Sequence, residues 1–251
     1  MLGKNLFLYQ LGVGTSHDLI GTIHADTIGL SAVCMVGILA VGGTVAANMK
    51  VDGPGGKMQA IVESIYLFVD DLAHGQIGHD YKKFFPLIAA IFTFVLFGNF
   101  LGVGPYKLFE EIVPGWPKLY GETGPHAEAF EIASPTTDIN VTAGLAIVAL
   151  LVYLGSGIWK HGAAKYGKTL FLTPMAPIEV MDMVVRPSTL ALRLMVVITA
   201  DELMRGAFLL MCPILVPAGI MAFELFIGVI QAFVFSLLTS IYIGLTVAEH
   251  H

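Results

Sequence analysis

The chain has 251 residues, 56% of them hydrophobic and 13% charged, with a mean hydropathy of +0.78. That composition excludes a soluble globular domain and places the chain in a bilayer. The net charge of −6 comes mainly from one acidic loop, which makes it a feature of topology and excludes nucleic acid as a partner.

Residues 1–26 hold His17, Asp18, His24 and Asp26 but no basic stretch leading into an apolar one and a small-residue cleavage site. They read as an outer N-terminal segment without a cleaved targeting peptide. The first apolar run, 27–48, is a membrane span that closes at the turn residues Asp52 to Gly56. Residues 57–80 mix Ile61, Ile65, Phe68 and Leu72 with Glu63, Asp70 and Asp71, the pattern of an amphipathic helix, interfacial or packed in a bundle, rather than of a span. Lys82 and Lys83 mark a membrane edge, and 84–103 is the second span. The loop that follows is rich in Glu and should face outward. The third span, 140–159, ends at Trp159 and Lys160. The lysines of the two opposite connections place those connections, and the C-terminus, in the cytoplasm, with the N-terminus outside.

From Ile178 to Met211 and from Pro217 to Val247 run two very long helical patterns, about 50 and 45 Å at 1.5 Å per residue. Neither stands upright in a hydrocarbon core of about 30 Å, so residues 176–248 predict a steeply tilted hairpin. The whole reads as one all-α polytopic membrane domain with about five membrane-crossing helices and one amphipathic helix.

Polarity is concentrated in that hairpin, where burial costs most. It holds Glu179, Asp182, Arg186, Arg193, Asp201, Glu202, Arg205, Glu224 and Gln231. A charge at mid-membrane costs roughly 2.5–3.5 kcal/mol even on the lenient insertion scale, so such residues face a bundle interior, a wet cavity or a countercharge. Arg193 lies half way along its helix and keeps its proton at any working pH, so it holds a carboxylate but relays no proton. Glu179, Arg186 and Arg193 recur every seven residues, as do Glu224 and Gln231, and each set forms a polar stripe. Glu202 and Asp201 lie outward of Arg193, Glu179 and Asp182 inward, an arrangement that points to two separate half-channels.

The run Pro177 to Leu194, with its acidic start, Arg186-Pro187 and Ser188-Thr-Leu-Ala-Leu-Arg193-Leu194, closely resembles the signature of ATP synthase a subunits. Phe94 to Gly102, Thr137 to Asn140, Ala200 to Leu203, and Ile230 to Phe235 followed by Tyr242 agree in order. The resemblance implies that Arg193 is the stator arginine passed by the carboxylates of a rotating c-subunit ring, with Gln231 its polar partner across the hairpin. It implies that Glu202 and Glu224 line the outward half-channel, with Asp138 and Asn140 near its mouth, and that Glu179, and Asp182 after it, belong to the inward one. The implied partners are the c-ring, the b/b' peripheral stalk, the F1 sector indirectly, and membrane lipid. The implied setting is an energy-transducing membrane, either the bacterial inner membrane or a thylakoid or mitochondrial one. Met195-Val196-Val197 stands where the family has an aromatic residue, a small one and Asn.

Two other functions compete at this level. A self-contained transporter calls for inverted repeats and discontinuous helices, and neither is visible. A non-transporting assembly subunit has no need of a mid-helix arginine. His74, His79 and Asp80 read as an interfacial loop rather than a metal site, Cys34 and Cys212 as buried free thiols, and no glycine group has a phosphate-binding context. No cofactor is expected.

Overall fold

The computed structural model describes residues 8–10, 22–50, 55–103, 134–162, 176–209 and 215–247. Within them the chain is carried by helices α1 (Ala25–Ala47), α2 (Lys57–Ile77), α3 (Tyr81–Gly102), α4 (Ile139–His161), α5 (Ala176–Leu209) and α6 (Leu215–Val247). Two 3-10 turns punctuate them, Gly78–Asp80 between α2 and α3 and Pro135–Thr137 ahead of α4. The expectation of a wholly helical chain is modified at one place. Leu8–Gln10 pairs antiparallel with Thr22–His24, Leu8 opposite His24, as a small ribbon before α1. Strands of three residues carry too little alternation to be read from sequence.

Four described stretches are long and apolar enough to cross a membrane: Gly29–Ala47, Lys57–Gly102, Ile139–His161 and Gly219–Val247. Helix α5 has 34 residues and carries Asp182, Arg186, Arg193 and the acidic pair Asp201–Glu202. Length therefore qualifies α5 to cross, and charge distinguishes it from its neighbours. Pro187 sits inside it, and its missing N–H leaves the Met183 carbonyl without its usual helical donor.

The centre of the bundle is α3. Ile88, Ile91, Phe92, Val95, Asn99 and Gly102 are buried at three- and four-residue spacing, one face of a helix. That face packs most extensively on α6 and also on α2, while α4 lies against both α5 and α6. Leu190 and Leu194 of α5, Ala146 and Ala149 of α4, and Ala232, Phe235 and Ile243 of α6 complete the core. By contrast α1 buries Cys34 while Val33, Met35, Val36 and Leu39 point outward. An apolar helix with so open a surface is stable in lipid, where the backbone is satisfied within the helix.

Lipid tails are as apolar as the core, so these helices associate through close packing of small residues and through hydrogen bonds. Gly244 of α6 rests on the backbone of α2, where an added Cβ would run into the Gln76 carbonyl oxygen. Gly228 brings α6 onto α3, where a Cβ would meet the Asn99 Cβ at 3.0 Å. At the α2–α3 junction Gly78 ends α2 at φ 76°, ψ −137°, a conformation that favours glycine.

Candidate functional site

Helix α5 has two distinct faces. Leu190 and Leu194 are buried at 2% and 1% exposure, whereas Leu192 and Val196 are more than half exposed. Arg193 lies on the open face with them. Among the described residues it has no ion-pair or hydrogen-bond partner. The bundle thus holds the backbone of Arg193 firmly through its two leucine neighbours and leaves the guanidinium facing out.

Arg186, two turns earlier, behaves oppositely. Its Nη2 donates to Asp182 Oδ2 at 2.8 Å, and its guanidinium carbon lies 5.2 Å from the ring of Tyr153 and 5.0 Å from that of Tyr242. Its Nη1 is buried with no hydrogen-bond partner among the described residues. Arg186 and the two tyrosines line a crevice with Ala149, Pro187 and Leu190 at the meeting of α4, α5 and α6. The sequence stripe that joined Arg186 to Arg193 divides, because seven residues of helix carry Arg193 about 10 Å along the axis, away from the level of Tyr153 and Tyr242. Asp182 is thereby committed to Arg186 by one helical turn of spacing.

On α6, Glu224 and Gln231 are buried at 3% and 8% exposure, on the stripe that contains Gly228. The Gly228 carbonyl accepts from Asn99 Nδ2 at 3.0 Å. Asn99 Oδ1 in turn accepts from Thr136 Oγ1 at 2.7 Å, Ser134 and Thr136 share a 2.6 Å hydroxyl contact, and Ser134 Oγ donates to the Gly98 carbonyl at 3.0 Å. A buried polar chain therefore joins α6, α3 and the turn before α4. It ends beside Asp138, whose Oδ1 accepts from the Asn140 amide at 2.8 Å and caps α4. Asn140 itself is exposed.

Arg193 and Gln231 are not hydrogen-bonded to each other: one faces out and the other in. The backbone of Glu179, Asp201 and Glu202 belongs to α5, while their side chains lie outside the described residues, as do the acidic loop and Cys212. The residues that sequence reasoning passed over are Asn99, Ser134, Thr136 and Tyr153. Asn99 carried a signal of its own, an amide near the end of an otherwise apolar span. Tyr153 carried none, since a tyrosine in a span is ordinary.

At the opposite end of α4, Asp80 accepts from Lys160 Nζ at 3.0 Å and lies 3.7 Å from Lys83 Nζ. The Lys160 hydrogen bond, ahead of the lysine charges, lowers the Asp80 pKa below its ordinary value. Asp80 thus serves as an ion-pair partner, and among the described residues no group of His, Cys, Asp and Glu is arranged to hold a metal.

Comparison with known proteins agrees with this architecture. The family model described as ATP synthase A chain matches residues 28–244, from within α1 to near the end of α6. The chain is also similar to the "ATP synthase subunit a" of Gloeobacter violaceus (strain ATCC 29082 / PCC 7421), 36% identical over 231 residues that cover 91% of this chain and 86% of that relative. The matched region includes Arg193, the polar chain through Asn99 and the buried pair on α6. The chain belongs to the ATP synthase A chain family, the proton-conducting stator subunits of the Fo sector.

Proposed function

We propose that the open face of α5 receives a c-subunit ring and that Arg193 is the fixed cation which each c-ring carboxylate passes. The observation that carries this reading is the contrast between the two arginines. Arg186 is paired within the chain with Asp182 and faces two tyrosine rings, whereas Arg193 is exposed amid apolar side chains with no partner among the described residues. A guanidinium at membrane depth needs a countercharge, and a carboxylate on a partner subunit supplies one. Arg193 cannot give up its proton, so it separates two aqueous paths rather than joining them. Glu202 and Glu224, with Asp138 and Asn140 at the mouth, serve the outward half-channel, and Glu179 and Asp182 the inward one. Gln231 serves as a neutral polar group near the transfer step. A proton enters from outside, rides the ring, and leaves inside, each charge yielding about 2.3 kcal/mol per 100 mV.

The b/b' stalk holds the chain static against the ring, and the host is a bacterial inner membrane with the C-terminus in the cytoplasm. Separate half-channels make a directional prediction. In the assembled complex, with Cys34 and Cys212 replaced by Ser, Glu179→Cys should react with a membrane-impermeant thiol reagent from the cytoplasmic side and Glu202→Cys from the opposite side. Labelling of both from one side would overturn the two-channel reading.

A further inference from the structure

The backbone of α5 is weakest beside Arg186. Pro187 lies within the helix and withholds the N–H that the Met183 carbonyl would accept, and kinks arise at such prolines. The two hydroxyls that follow leave the gap open. Ser188 Oγ donates to the Val184 carbonyl at 2.7 Å and Thr189 Oγ1 to the Arg186 carbonyl at 2.9 Å, back-bonds that themselves favour bending. Side chains supply what the backbone lacks. The Arg186 side chain is 21% exposed. It pairs with Asp182 on its own helix and lies within cation–π range of rings on two others, Tyr153 of α4 and Tyr242 of α6. Arg193 follows two turns beyond, past the proline, with no partner of its own among the described residues.

We infer that Arg186 is a positioning residue for Arg193: its guanidinium, set between Tyr153 and Tyr242, keeps α5 from bending at Pro187 and so holds the part of the helix that carries Arg193 in place against the ring. The inference rests on the role proposed above for Arg193. Leu190 and Leu194 are buried beyond the proline, but apolar contacts are non-directional and lipid tails compete for them. A planar cation held by a carboxylate and two rings from three helices fixes both distance and direction. Without it α5 flexes, Arg193 moves off the path of the passing carboxylates, and the two aqueous paths are no longer kept apart. Protons then return past the ring while ATP is still hydrolysed.

The test measures protons pumped per ATP hydrolysed by the assembled complex in inverted vesicles. A merely destabilised complex loses pumping and hydrolysis together and keeps the ratio, whereas a misplaced Arg193 lowers it. Arg186→Gln should reduce the ratio at least threefold. Pro187→Ala restores the missing N–H and stiffens α5, so alone it should keep the native ratio, and added to Arg186→Gln it should bring the ratio back to within about twofold of native. A native ratio in Arg186→Gln, a reduced one in Pro187→Ala alone, or no recovery in the double variant overturns the inference. Should Arg186→Gln fail to assemble, Tyr242→Leu, which removes one ring and leaves the ion pair, decides by the same fall and the same recovery with Pro187→Ala. Arg193→Ala run alongside separates the two levels. Native pumping by Arg193→Ala overturns the proposed function and this inference with it, whereas pumping lost there beside a native ratio in Arg186→Gln overturns the positioning role alone.

Discussion

At the residue scale, the decisive difference is between Asn99, hydrogen-bonded within the chain, and Arg193, which faces out. Asn99 is 3% exposed and serves two partners, the Thr136 hydroxyl and the Gly228 carbonyl. Asn99→Ala strips both at once and should destabilise the chain by about 1–3 kcal/mol, read as a lower temperature for release of this subunit from the complex. Unchanged thermal release would show that the buried polar chain contributes nothing to stability. Arg193, Glu224 and Gln231 stand out in the sequence because charge or amide in an apolar helix is conspicuous. The inward turn of Arg186 was illegible, because which arginine lies level with Tyr153 and Tyr242 depends on how α4 and α6 pack against α5. The Met195-Val196-Val197 departure from the family pattern has no explanation in the structure.

At the scale of elements, helix extents were legible because apolar runs, terminal lysines and glycine-rich turns mark their own limits. Which helices touch was not legible, since in lipid an outward and an inward apolar side chain look alike in sequence. Small residues supply the missing information after the fact. Gly244→Ala places a methyl against the Gln76 carbonyl and should cost about 1–3 kcal/mol by overpacking, seen as reduced assembly. Gly155→Ala, where a Cβ meets nothing within 4 Å, should leave assembly at the native level. Equal behaviour of the two variants would contradict the α2–α6 contact.

The tie between the α2–α3 junction and the end of α4 predicts a pH dependence. The folded-state pKa of Asp80 lies below the ordinary 3.8, so its contribution is fully present above that value and fades as pH falls through the lower, folded one. Asp80→Asn should therefore lower the thermal midpoint of the nanodisc-held complex at neutral pH, with the gap closing in acid below about 4. A gap that stays constant with pH would mean that packing, rather than the ion pairs with Lys160 and Lys83, sets it.

For the whole molecule, α3 and α6 form the packed centre, α1 stands at the lipid-facing periphery, and α5 is presented with one face anchored and one open. Membership of the family was legible from the spacing around Arg193 together with the order of four further segments. The N-terminal ribbon was not, because its pairing is too short to leave a pattern. On the proposed reading, Arg193 acts on ions delivered by a partner and does not hold the bundle together. ATP-driven acidification of inverted membrane vesicles tests it directly, comparing the native complex with Arg193→Ala at matched levels of assembly. Pumping should disappear while the complex remains assembled. Pumping by Arg193→Ala at the native rate would contradict it.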